Sequence, residues 1–186
     1  MGQIFYPKPV KLIFSIISAR EEMFIEAKNC LTNYFGKIDM ESNYQAFDFT
    51  DYYQKEMGEY LNQKLVSFQE LILPHRLSQI KNDSNQLELC LSREINQNKA
   101  AKQIKRKVNF DPGYLTLSKF ILASTKNGPA RIYLKQGIYA EITLRFTNKS
   151  FCPLEWTYRN YQTDSYIAFL NQVRENYRKQ LKNIIE

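Results

Sequence analysis

The stretch from Arg131 to Phe146 constrains the fold of this sequence more than any other. Arg131 to Leu134 and Ile138 to Phe146 are rich in β-branched and aromatic residues. Between them lies Lys135-Gln136-Gly137, whose glycine fits the third position of a three-residue hairpin with a bulge. Side chains alternate along a strand, so Ile138, Ala140, Ile142, Leu144 and Phe146 are expected on one face. Tyr139, Glu141, Thr143 and Arg145 then share the other face, with Arg131 and Tyr133 beside them. A chain holding such a ribbon builds an antiparallel sheet around it, and the charged face must meet either water or a cleft. In water its Glu–Arg pairs are cross-strand contacts worth about 0.2–1 kcal/mol each. In a cleft, the guanidinium groups grip an anion and the tyrosines supply stacking surface and hydroxyl donors.

The rest of the chain supplies the partners of that ribbon. Val10 to Ile17 reads as a nearly continuous apolar strand, the kind buried on both faces. Ser18-Ala19-Arg20-Glu21 matches a capping box, opening a helix that carries Phe24, Ala27, Leu31 and Tyr34/Phe35 and stops at Gly36. Ile38 to Phe49 reads as extended, Gln54 to Met57 as a short helical segment ended by Gly58, and Lys64 to Phe68 as a strand. Asn85 and Glu88 form a second capping signal ahead of Leu87, Leu91 and Ile95. Asp111-Pro112-Gly113 reads as a type II turn, and Leu115 to Ser124 as helix in preference to strand. Asn127-Gly128-Pro129 breaks the chain, Phe151 to Tyr158 reads as a further strand, and a helix starts near Asp164. Its stripe is Tyr166, Leu170, Val173, Tyr177 and Leu181. The expectation is one α+β domain over residues 1–186, with an extended lead-in over about 1–9. It has a mixed, largely antiparallel sheet with helices packed mainly on one face.

Scarcity removes several chemistries. His75 is the only histidine and Cys30, Cys90 and Cys152 are far apart, so no paired Cys/His ligands for zinc exist and histidine-based nucleophilic catalysis has one candidate at most. Three dispersed cysteines point to a reducing compartment. No phosphate-loop or dinucleotide fingerprint occurs among only six glycines. An enzyme built from this chain works with carboxylates, Lys, Arg, Tyr or a bound cation. No apolar run is long enough to span a membrane, and the first residues lack the pattern of a signal peptide, so the expected location is cytoplasmic. Of the net +7, five charges fall in one tract: Lys99, Lys102, Lys105, Arg106 and Lys107.

These residues define a candidate site: Arg131, Tyr133, Tyr139, Glu141 and Arg145 on the polar ribbon face, with Asp111 and the pair Asp48/Asp51. Lys119 and Lys126 add positive charge. Arg131 and Arg145 hold the anion of a phosphorylated small molecule or nucleotide, Glu141 and Asp111 are the candidate catalytic carboxylates, and Asp48 and Asp51 are candidate ligands for Mg²⁺ if the chain turns between them. The blander alternative for Asp111 is a turn former, and for the polar face a solvated surface. A second reading takes the basic tract 99–107 as an RNA-binding footprint in a ribonucleoprotein accessory role. In a third, a non-catalytic interaction module docks a partner on Tyr158, Tyr161 and Tyr177. Trp156, Tyr158 and Tyr161 could also stack bases or close a core edge.

Four segments also carry a family resemblance. Asp48-Phe49-Thr50-Asp51-Tyr52-Tyr53, Glu56-Met57-Gly58, Asn109-Phe110-Asp111-Pro112-Gly113-Tyr114-Leu115, and Arg131-Ile132-Tyr133-Leu134 followed by Gly137-Ile138-Tyr139-Ala140-Glu141, Thr143 and Leu144 resemble the signatures of the domain-of-unknown-function family numbered 4416. The resemblance runs from Lys11 to about Lys182, takes in Trp156-Thr157-Tyr158, and departs around Asn96 to Lys105. It implies a soluble prokaryotic single-domain protein and no established activity.

Overall fold

The computed structural model describes residues 2–50, 52–92 and 106–185. The strands are β1 (Val10–Ser18), β2 (Ile38–Glu41), β3 (Gln45–Ala46), β4 (Asn62–Ile72), β5 (Asn109–Leu115), β6 (Lys119–Ser124), β7 (Arg131–Lys135), β8 (Ile138–Thr147) and β9 (Ser150–Pro153). The helices are α1 (Glu21–Phe35), α2 (Gln54–Met57), α3 (Leu77–Ser92) and α4 (Asp164–Ile185). The strands form one sheet in the order β2-β4-β1-β5-β6-β8-β7, with β3 beside β4 and β9 beside β8. Every pairing among them is antiparallel. The architecture is α+β. Among the described residues, no helix is long and apolar enough to cross a membrane.

β1 is central because its apolar run leaves neither face fit for water; all nine residues are buried. Leu12, Phe14 and Ile16 pack with Met23, Phe24, Ala27 and Leu31 of α1 and Ile80 and Leu87 of α3. Ile13 faces the opposite way, into a second core made with Leu65, Leu115, Phe120 and the α4 stripe Tyr166, Leu170, Val173, Tyr177 and Leu181. Helices therefore cover both sheet faces, not mainly one. The α4 side is also pinned by charge. Lys11, fully buried, pairs with Asp39 and donates to Gln180 Oε1 (2.9 Å). Asp39 also accepts from Ser67 (2.6 Å) and Asn176 (2.9 Å).

Several local expectations give way to tertiary context. Asp111-Pro112-Gly113 is not a turn but the middle of β5, with Pro112 opposite Phe14. The β5–β6 ladder spans only Gly113 to Leu115, so from Asn109 to Pro112 one edge of β5 has no strand beside it. Phe110 turns its N–H and C=O to that edge, where they meet Glu88 (2.6 Å) and Lys81 (2.6 Å) of α3. Alternation points Pro112 the same way, so its missing N–H costs no ladder bond. Leu115 to Ser124 is a β-hairpin half rather than a helix. Its turn is held by Thr116, whose N–H donates to the Lys119 carbonyl (2.8 Å).

The helix starts also differ. Ser18 does not cap α1; its hydroxyl accepts from the Arg20 N–H (3.2 Å) and donates to the Lys107 carbonyl (2.7 Å). Asn85 lies inside α3, which begins eight residues earlier behind Pro74 in a 3₁₀ turn. The hairpin loop is two residues, Gln136 (φ 53°) and Gly137 (φ 76°), with Lys135 paired to Ile138, the positive-φ pair of a type I′ turn. The strand after Ser150 stops at Pro153.

β8 carries the most consequential irregularity. Phe120 pairs with Leu144 but Ile121 pairs with Ile142, which leaves Thr143 as the extra residue of a bulge. The alternation expected from Ile138 to Phe146 therefore breaks. Leu144 joins the α4-side core with Leu122, the cross-strand partner of Glu141, while Ile138 joins Ile121 and Ala123 on the opposite side. Glu141 and Thr143 are buried and Ile142 is exposed.

At Gly113 the β6 backbone leaves no room for a side chain: a Cβ would sit 2.3 Å from the Ile121 carbonyl oxygen. We expect Gly113→Ala to lower unfolding free energy by at least about 1–3 kcal/mol, read from urea denaturation curves. An unchanged midpoint would show that β5 and β6 separate freely.

Candidate functional site

Where β5 parts from β6, a cleft of about 1190 Å³ opens. Its floor is the open edge of β5 (Asn109, Asp111), the end of β6 (Leu122, Ala123, Ser124) and Glu141 of β8. Its walls come from α3, the 47–56 segment with Phe49, Tyr52, Tyr53 and Glu56, the loop to Lys126, and the segment 155–161 after β9. The bulge positions that last segment. Trp156 Nε1 donates to the Ile142 carbonyl (2.8 Å) and Thr157 Oγ1 to the Thr143 carbonyl, so the two carbonyls at the irregular turn of β8 anchor the chain that presents Tyr158.

Two charged groups line the interior. In the first, Arg131 Nε donates to Glu141 Oε2 (2.9 Å), Nη1 to Ser124 Oγ (2.9 Å) and the Lys126 carbonyl (2.9 Å), and Nη2 to the Tyr158 hydroxyl. Both side chains are more than nine-tenths buried. Glu141 Oε1, also buried, has no hydrogen-bond partner. Burial acts to lower the Arg131 pKa, but the Glu141 bond and the nearby Tyr158 outweigh it and the net shift is upward.

The second group closes the open edge of β5. Lys81 Nζ lies 3.2 Å from Asp111 Oδ1, and Asn109 Nδ2 donates to Asp111 Oδ2 (2.7 Å). Arg106 bonds Asn109 Oδ1, lies 3.3 Å from Glu88 Oε2 and 3.4 Å from Glu56 Oε2, and sits 5.4 Å from the Tyr53 ring centre. Burial pushes the Glu88 carboxyl up to about 7 against the pull of Lys81 and Arg106, and burial also raises the Tyr53 phenol, helped by Asp111.

The structure brings together Arg131, Glu141, Asp111 and Lys126 from the expected site. Tyr133 and Tyr139 stack on each other (5.3 Å, edge to face) outside the lining. Arg145 is exposed opposite Lys119, and neither reaches the cleft. Asp48 is exposed and does not line it, and Asp51 lies outside the described residues. Among the described residues, no three His, Cys, Asp or Glu side chains are grouped to hold a metal ion.

Of the basic tract, Lys99, Lys102 and Lys105 lie outside the described residues, and Arg106 turns inward to the cleft. Tyr161 and Tyr177 are core residues, so the aromatic edge expected to dock a partner is reduced to Tyr158, which faces Arg131. Lys81, Glu88 and Asn109 are not site candidates in the sequence, and Arg106 is one only as part of the basic tract, because each is drawn to the cleft by the open edge of β5, which no local pattern announces.

The chain belongs to the family described as Domain of unknown function (DUF4416), which matches residues 8–177. No curated protein and no solved structure matches it.

The Glu88 environment yields a signed pH effect. Its folded pKa of about 7 lies above the ordinary 4.5, so its contribution to stability is complete below about pH 4.5 and is lost as pH rises through 7. The loss amounts to up to about 3 kcal/mol. We expect urea denaturation at stepped pH to show Glu88→Gln gaining on the wild type by about that amount between pH 4.5 and 8. A constant difference across the range would place the Glu88 titration elsewhere.

Proposed function

We propose that the cleft binds a phosphorylated small molecule of nucleotide size. One observation carries the reading: Lys126 and Arg159 stand exposed at the rim, and no carboxylate of the described residues lies within ion-pairing distance of either. The inner cations, by contrast, are already neutralised: Lys81 by Asp111, Arg106 by Glu88 and Glu56, Arg131 by Glu141. The anion is therefore held at the mouth and not, as the ribbon alone implied, by Arg131 and Arg145. Lys126 rests 3.9 Å from the Tyr52 ring centre, a contact that a phosphate displaces with little loss because an exposed cation–π pair is worth only about 0.5–1 kcal/mol.

Aromatic surface beside the rim cations suits a planar ring. Tyr52, Tyr53, Trp156 and Tyr158 line the same cleft, and its volume exceeds what a nucleoside monophosphate fills. Glu155 shares the rim, and the described lining balances five cations with five carboxylates, so a phosphate is oriented by the two cations without carboxylate partners and not by a net positive cleft. Asp111 has both oxygens engaged, so of the two carboxylates proposed for proton transfer Glu141 is the one with an oxygen to spare.

The test is thermal-shift screening followed by calorimetry with nucleoside mono-, di- and triphosphates and sugar phosphates, with and without Mg²⁺. We expect Lys126→Ala and Arg159→Ala each to weaken the best ligand roughly three- to tenfold and to flatten its salt dependence. No shift with any of these ligands, or undiminished affinity in the double variant, would overturn the reading.

A further inference from the structure

We propose that Glu141 reads the base of the bound nucleotide, accepting a hydrogen bond through its free oxygen from a neutral N–H on the base edge. This rests on the cleft being a nucleotide site and narrows the ligand class from sugar phosphates to nucleotides. The carboxylate is held from one side only: Oε2 accepts from Arg131 Nε at 2.9 Å, and Oε1 is buried without a hydrogen-bond partner on a side chain that lines the cleft. A buried acceptor left without a donor is costly, and a native fold retains one where a ligand completes it.

Three features define the donor. Arg131 already balances the Glu141 charge, so a cationic ligand group would add an uncompensated charge in a buried place, whereas a neutral N–H would not. Ser124 and the Lys126 carbonyl fix the guanidinium, so the carboxylate cannot swing to find another partner. Tyr158, bonded to the same guanidinium with its ring centre 6.0 Å from the guanidinium carbon, adds aromatic surface to the cleft on the Arg131 side of the pair, which favours a donor carried on a flat ring over a sugar hydroxyl.

Glu141→Gln inverts this polarity without changing shape. Arg131 Nε still demands an acceptor, so the amide oxygen must take the Oε2 place and the amide NH₂ then takes the place of the unpartnered Oε1. A ligand donor would meet a protein donor.

The experiment is calorimetry of wild type and Glu141→Gln with AMP, GMP, CMP, UMP and ribose 5-phosphate, thermal unfolding being recorded for both proteins. In the wild type the best nucleotide is expected to bind at least tenfold tighter than ribose 5-phosphate. In the variant that nucleotide weakens by roughly ten- to a hundredfold and the order of the four bases changes, while ribose 5-phosphate is not weakened, since loss of the carboxylate charge leaves Arg131 unbalanced. An N-methylated counterpart of the best nucleotide, blocked at its donor nitrogen, gives the same loss on wild-type protein and so does not depend on the variant folding. Nucleotide binding that survives both changes, or a loss shared equally by ribose 5-phosphate, overturns the role of Glu141 and leaves the phosphate site standing. Absence of all binding to the wild type overturns both.

Discussion

The open edge of β5 is the constraint on which the rest of this molecule depends. From Asn109 to Pro112 the strand is bonded to β1 on one side and to no strand on the other. Unpaired backbone groups next to a core must find partners, and here α3 supplies them: Glu88 accepts from the Phe110 N–H and Lys81 donates to the Phe110 carbonyl. Those two charges cannot be buried alone, so Arg106, Asn109 and Asp111 gather around them. The cleft is the space the missing strand leaves, and its inner polarity follows from having to satisfy an edge with side chains.

The bulge at Thr143 does the complementary work on the far wall. One extra residue turns Leu144 into the α4-side core and keeps Glu141 on the same side, facing the gap. The irregular turn leaves the Ile142 and Thr143 carbonyls to Trp156 and Thr157, which fixes the chain leading to Tyr158. A gradient results. Charges deep in the cleft are paired with one another, whereas Lys126 and Arg159 at the rim have no carboxylate partner among the described residues. On the proposed reading, selectivity and anion capture fall at different depths.

Particular residues show what was legible beforehand. The β1 run, the α4 stripe and the β7–β8 ribbon were readable because each is specified by its own periodicity over a whole element. Asp111-Pro112-Gly113 misled for a physical reason: the same residues that make a turn also suit a strand with one free edge and a neighbour too close for a Cβ. Leu115 to Ser124 was ambiguous because short apolar runs satisfy both periods, and pairing with β8 decided it. Half the candidate site was legible, Arg131, Glu141 and Lys126 because they lie on the ribbon or near the break beside it, and Asp111 because it stands before Pro112-Gly113. Tyr133, Tyr139 and Arg145 were included by alternation alone, which says which face a side chain takes but not how far along that face the cleft extends; Lys119 was included only as nearby positive charge.

By itself the amino-acid order determined an antiparallel α+β core, a chemistry without histidine or cysteine clusters, and membership of a family two of whose signature segments form β5 and the β7–β8 ribbon. Those properties are local or compositional, and neighbouring residues suffice to encode them. Only the tertiary structure decided which cations are spent on buried carboxylates and which have no carboxylate partner among the described residues. Ion pairing in this chain joins residues as distant as Glu56 and Arg106, and a single inserted residue in β8 redirects the side chains that follow it. Contacts of that range are set by how strands align, a property of the assembled sheet.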